Sequence, residues 1–243
     1  MPTCLIGTSG WHYQHWGEGV FYPPELSAPE WLAFYARHFD TVEINNTFYH
    51  LPAASTFEQW RETAPPGFAF AVKGSRLITH LKKLKEPQGA LANFLDRARL
   101  LGDKLGPILW QFPPHWKRNP DRLRSFLDLL PSGLRCAFEF RDQSWFHHDI
   151  YQALADHNQA WCIYDLEGGD CPAMRTADWT YFRFHGPGER YLHRYPRETL
   201  REWAGRARSW LDRGCDLYAY FNNDAGGHAV TNARELRELI TAE

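Results

Sequence analysis

The chain has 243 residues, enough for one large domain or two small ones, and its formal net charge of -2 excludes a global basic field that recruits nucleic acid. No apolar run approaches the ~18 residues of a membrane span, and the N-terminus enters a strand pattern without a charged-plus-apolar leader region. The five cysteines are odd in number and contain no Cys-x-x-Cys, which argues for a reducing, cytoplasmic setting over a disulfide scaffold.

Strand and helix patterns alternate eight times along the chain. Residues 4–9 read as the first strand and lead into the loop GWHYQHWG at 10–17. A helix is predicted over 28–39, with Ser27 as its cap and Pro29 in its first turn. The second strand, 41–47, sets Val42 and Ile44 on one face and Glu43 and Asn45 on the other. Ser55 and Glu58 then make a capping box for a short helix through Trp60. In the third strand, 68–74, Phe68, Phe70 and Val72 alternate with Ala69, Ala71 and Lys73, and Pro87 opens a helix to about 104. The fourth strand, 107–112, carries Gln111 near its end, and Asn119-Pro120 caps a helix to 130.

The fifth strand is the clearest. Within CAFEFRDQSW at 136–145, Phe138 and Phe140 alternate with Ala137, Glu139 and Arg141, so small and charged residues share a face. Ser144 is the expected cap of the helix through Leu154. The sixth strand, 160–165, ends on Asp165 and a Gly168-Gly169 loop. The seventh, 180–186, alternates Phe182 and Phe184 with Tyr181, Arg183 and His185, before a helix at 196–213. The eighth, 216–222, ends on Asn222, and a last helix runs from 232. Bulky residues outward beneath helices, with small or functional ones inward, define an α/β fold: a (β/α)8 TIM barrel forming one domain over 1–243.

Taking the inward face at each strand end collects Ser9, Glu43, Asn45, Lys73, Gln111, Glu139, Arg141, Asp165, Arg183, His185 and Asn222. A barrel needs only Val, Ile and Leu to fill it, so a polar ring in the layer that holds TIM-barrel active sites points to a ligand. Arg141, Arg183 and Lys73 suit an anion carrying phosphate or carboxylate. The loops at 186–188 and 223–228 offer backbone N–H groups for a phosphate. Glu139, Glu43, His185 and Asp165 are the acid–base candidates, with Glu139 placed below Arg141 to hold it. Glu139 is read as a strained site carboxylate, so Glu139→Gln is expected to leave stability unchanged or raised. Trp11, Tyr49 and Trp145, with Tyr13, Tyr191 and Tyr195, are the aromatic residues expected to cover the ligand.

No metal is expected, because the spacing lacks His-x-His or His-Glu-x-x-His and three cations repel a divalent ion. Were one present, Glu43, Glu139, Asp165 and His185 would hold it. No Gly-x-Gly-x-x-Gly or P-loop is present, so no cofactor is expected either. The leading reading is an acid–base enzyme of hydrolase, lyase or isomerase type acting on a small polar anion, sugar-like or phosphate-bearing. The alternatives are a nucleic-acid binder or phosphodiesterase that uses the same mouth, and a non-catalytic anion-binding module. No oligomeric state is read from the sequence.

The motifs IGTSGW at 6–11, TVEINNTFY at 41–49, FAVK at 70–73, LWQFPP at 109–114, FEFR at 138–141 with Ser144-Trp145, YFRFHG at 181–186 and YFNN at 220–223 lie in order at strand ends. Together they resemble the YecE-like family, also known as domain of unknown function 72, over nearly the whole chain. That resemblance implies a TIM barrel and no assigned activity.

Overall fold

Eight strands run parallel in one sheet of order β1-β8-β7-β6-β5-β4-β3-β2. They are β1 (Cys4–Thr8), β2 (Thr41–Ile44), β3 (Ala69–Lys73), β4 (Leu105–Gln111), β5 (Cys136–Glu139), β6 (Ala160–Asp165), β7 (Trp179–Phe184) and β8 (Asp216–Phe221). The structure, a computed structural model, describes residues 2–166, 171–188 and 191–242. The expected Gly168-Gly169 loop lies outside the described residues.

The seam between β1 and β2 closes at one parallel bridge, Ser9 to Glu43. Gly7 makes that approach possible: a Cβ there would lie 2.2 Å from the Thr41 carbonyl oxygen, inside any van der Waals contact. The barrel and its single domain are as the alternating pattern requires.

The helices are α1 (Trp31–Tyr35), α2 (Asn46–Tyr49), α3 (Ala54–Thr63), α4 (Gln88–Ala98), α5 (Pro120–Leu127), α6 (His148–Asp156), α7 (Arg197–Leu211) and α8 (His228–Thr241), of which the one-turn α2 lies in the loop at the end of β2. Asn119 caps α5 as expected, its side chain accepting from the Arg122 amide at 3.0 Å. Ser27 caps as expected, with Glu30 completing a capping box, but the helix differs from the expected 28–39: only a short 3-10 turn and α1, ending at Tyr35, follow it. Two other caps differ from expectation. Helix α3 begins after Ala53 without a side-chain cap. Ser144 instead accepts from the Arg118 amide at 2.9 Å, and the His147 ring caps α6.

Two layers of core follow from the period of two. Outward Phe138, Phe140, Phe182, Phe184, Leu217 and Phe221 pack under the helices. Inward Ala71, Leu109, Ala137, Ala160, Cys162, Tyr181 and Tyr220 fill the barrel. Small side chains on β3, β5 and β6 leave room for the tyrosines of β7 and β8. Most tryptophans serve the outer layer. Trp145 is the clearest case: it is buried, stacks on Phe140 with centroids 4.4 Å apart, and donates its indole N–H to Trp116 O at 2.6 Å. It packs the shell behind β5 and lines no mouth, because the turn after Asp142 folds it back onto the outward phenylalanine.

Candidate active site at the barrel mouth

The ring is built from the last inward residue of several strands. Arg183, on β7, is wholly buried with carboxylates on two sides. Its Nε and Nη2 donate to Glu43 Oε2 and Oε1 at 3.0 and 2.8 Å, and its Nη1 donates to Glu139 Oε2 at 2.5 Å. Glu43 also accepts from Ser9 Oγ and from the Tyr181 hydroxyl, each at 2.7 Å. The other oxygen of Glu139 accepts from Arg141 Nε at 2.7 Å. Both carboxylates are fully buried, so pairing is what keeps them tolerable. Burial pushes the Glu139 carboxyl up, but Arg183 and Arg141 outweigh it and hold the group far below its usual range.

His185 is also fully buried. Burial and then Arg183 push its imidazole well below its usual pKa, so the ring is neutral. Its Nε2 lies 3.4 Å from both Arg141 Nη2 and Arg183 Nη1, which are donors only, so Nε2 accepts and Nδ1 carries the proton. Nδ1 faces the Asn222 side-chain amide at 3.2 Å, and with that amide turned to present its oxygen the network is consistent.

Lys73 closes the ring at the end of β3. Its ammonium sits 4.4 Å from the centroid of the Phe48 ring on α2, and no carboxylate is within ion-pair distance among the described residues. Burial and then Arg183 push it down to about 8, against the pull of Glu139 and Glu43. The backbone beneath is fixed: Thr47 Oγ1 donates to the Lys73 carbonyl at 2.7 Å, and the Trp110 ring leaves no room for a side chain at Gly74. Gln111 pairs in register with Glu139 and donates its amide to Phe112 O at 2.7 Å.

Several expected site residues stand elsewhere. Asp165 is on the outer face. Ala160 and Cys162 point into the barrel while Trp161 and Ile163 point out, and a period of two places Asp165 with the latter. Its neighbour there is Tyr195, whose phenol is pushed up by burial and then by Asp165. Tyr195, expected over the mouth, packs instead between Phe184 and Phe221. Tyr164 takes the inward position that Asp165 was expected to hold, donating to Phe140 O at 2.8 Å. Arg183 has no edge left for a ligand, since both of its sides face carboxylates. The backbone N–H groups of Gly186, Ala225 and Gly227 are bonded within the protein, so those loops offer less of a phosphate cradle than expected. Asn45 is not a strand residue; it precedes α2 and its Oδ1 has no partner among the described residues.

His80 was not singled out. It lies on a one-turn π-helix, Leu77–Leu81, edge-on to Phe48 with centroids 4.9 Å apart. Burial and then Lys73 push its imidazole down to about 4. Nothing in the local sequence marks a π-turn, although such turns often sit at functional sites.

Beside the ring, over the β1–β2 seam, lies a cavity of about 520 Å³ lined by Trp11, Tyr13, Ile44, Asn45, Tyr49 and Trp60 among others. Phe48 under Lys73 and Tyr49 at the cavity are consecutive residues of α2, so one short turn joins the two compartments. Tyr191 stands over the other side of the ring, edge-on to His185 with centroids 5.8 Å apart.

The family model described as "Protein of unknown function DUF72" matches residues 5–243. The UPF0759 protein YunF of Bacillus subtilis is 28% identical over 273 aligned positions, covering 98% of this chain and 95% of YunF. The UPF0759 protein YecE of Escherichia coli is 32% identical over 131 positions, covering 51% of this chain and 48% of YecE. A crystal structure of a DUF72 family protein from Thermotoga maritima superposes with a TM-score of 0.88 at 30% identity, covering 99% of this chain and all of that one. No helix among the described residues is long and apolar enough to cross a membrane.

Proposed function

This chain belongs to the DUF72 family, whose description names no reaction, and we propose that its barrel mouth binds a small organic anion between Lys73 and Arg141 and transforms it by proton transfer. One observation carries this reading: three cations face two carboxylates, and the carboxylates are committed to Arg183 and Arg141. Lys73 is left with an aromatic face in place of a counter-ion. A ligand carboxylate or phosphate supplies the missing charge. The Arg141 guanidinium, partly open to the mouth and with Nη2 3.4 Å from His185, gives it a second anchor through Nη1.

The proton chemistry follows from the same charges. Glu139 is a poor base because Arg183 and Arg141 hold it ionised. Its role is to aim the guanidinium of Arg141. Lys73, at about 8, exchanges a proton near neutral pH, where acid–base catalysis is most efficient. His80 and His185, both neutral, flank the ring and accept hydrogen bonds without adding charge. The aromatic cavity over the β1–β2 seam suits the remainder of the substrate, stacked on Trp11 and Tyr49.

Calorimetric titration with inorganic phosphate and with pyruvate tests the reading. Wild type is expected to bind at least one of them, and Lys73→Met and Arg141→Lys to bind it at least about tenfold more weakly, the ~1.4 kcal/mol of one charge-assisted contact. Equal affinity in all three proteins overturns it.

A further inference from the structure

We infer that Lys73 is a covalent nucleophile, whose Nζ forms an iminium with the carbonyl carbon of a small anionic aldehyde or ketone of the 2-oxo acid class. The inference rests on the anion-binding reading above and names the chemistry of that same site.

Four features of the geometry support it. The lysine stands at the C-terminal end of β3, the end of the barrel where reacting groups gather. Its backbone is locked from both sides, by Thr47 and by the Trp110 ring against Gly74, so Nζ swings from a fixed base. Its head lies against the face of Phe48 and has no carboxylate partner among the described residues. An ammonium, or the iminium that replaces it, is stabilised by that face, while a neutral amine loses little by leaving water. Finally, the charged and titratable groups around it come from every neighbouring element: Glu43 on β2, Glu139 on β5 with Arg141 just after it, Arg183 on β7, and His80 on the π-turn. Burial and the neighbouring guanidiniums outweigh the two carboxylates and lower the ammonium to about 8, as in lysines activated by a hydrophobic pocket or a second cation.

The step balances without an external reagent. The Nζ lone pair attacks the carbonyl carbon, and the C=O electron pair moves onto oxygen, which takes a proton from nitrogen. The carbinolamine hydroxyl takes up the proton that the ammonium released to solvent before the attack, and it leaves as water while C=N forms. In sum, an ammonium and a ketone give a protonated iminium and one water. The substrate's carboxylate, held by Arg141, sets the carbonyl carbon beside Nζ, and the iminium then acidifies the adjacent C–H, with Lys73 serving as electron sink in place of proton carrier. At pH 7 a lysine at about 8 is roughly 200- to 300-fold richer in free amine than an ordinary surface lysine.

The test is reductive trapping on the full chain. Wild type is incubated with pyruvate and sodium cyanoborohydride, followed by intact mass and peptide mapping, and phosphate and pyruvate binding are measured by calorimetry in parallel. The expected result is one reduced pyruvyl adduct per chain, on Lys73. It forms at least about tenfold faster than any other lysine adduct, with an apparent midpoint near pH 8. Excess inorganic phosphate suppresses it, and Lys73→Arg, which keeps the charge and the fold, abolishes it. Adducts scattered over surface lysines at rates unchanged by Lys73→Arg overturn the inference. Saturable anion binding without any Lys73 adduct overturns the nucleophile and leaves the anion site standing. Neither binding nor adduct overturns both.

Discussion

Removing the charge of Glu139 is the perturbation the ring magnifies most. In Glu139→Gln the backbone and volume are kept, but two guanidinium contacts at 2.5 and 2.7 Å lose their carboxylate. Arg183 keeps Glu43 and remains wholly enclosed, while Arg141 is 12% exposed and can turn toward water. Breaking one side of a buried pair costs about 3–5 kcal/mol, and Arg141's escape route puts this case near the lower bound. For a domain of this size each kcal/mol is ~2–4 °C, so the melting temperature should fall by roughly 6–12 °C. This reverses the expectation drawn from sequence alone, where Glu139 was read as a strained carboxylate whose loss is neutral or stabilising. The pH dependence gives a second check. The folded pKa of Glu139 lies below its ordinary value of 4.5, so its contribution is fully present above pH 4.5 and fades as pH falls. The gap between wild type and variant should therefore narrow on acidification. Thermal melts of both proteins across pH 3–8 measure it. Melting points within about 2 °C of each other at pH 7 would mean the ring is wet and the ion pairs contribute little.

Lys73→Met should raise stability by about 1 kcal/mol at pH 7 while weakening anion binding, because it removes an unpaired cation from a site built for a ligand. The lysine's folded pKa lies below 10.5, so wild-type stability should climb between pH 8 and pH 10.5 and the two melting curves converge there; a destabilised variant at pH 7 contradicts this. Asp165→Asn should leave phosphate or pyruvate affinity unchanged within about twofold, since the carboxylate faces Tyr195 outside the barrel. Titration of that variant decides it, and a tenfold loss would put Asp165 back at the mouth. Ligand affinity should change by less than about tenfold between 50 and 200 mM salt, whereas a nucleic-acid interface with many phosphate contacts would lose about 10³–10⁵. Calorimetry at the two salt concentrations separates the readings.

The fold was legible because β5, β7 and β8 each alternate phenylalanine or leucine with polar residues, a pattern that leaves one orientation possible. The inward placement of Glu139, Arg183 and His185 follows from that alternation alone, and that of Glu43 from Val42 and Ile44 on either side of it in β2. Strand β6 carried its own answer, in bulky Trp161 and Ile163 against small Ala160 and Cys162, but the terminal acid was read inward against that period. What no single strand reveals is who pairs with whom. Arg183 looks like a ligand-binding arginine in sequence, and only the closed barrel brings Glu43 and Glu139 to both of its sides. Loops were read least well. The Trp145 turn and the π-turn at His80 are set by tertiary packing against Phe140 and Phe48, which local sequence does not encode.

A crystal structure grown or soaked with saturating phosphate or pyruvate tests the central claim most directly. The account predicts the anion's oxygens within hydrogen-bond distance of both Lys73 Nζ and a terminal nitrogen of Arg141, with Arg183 still clasped by Glu43 and Glu139. Water at both positions, at a ligand concentration where calorimetry shows saturation, would contradict it.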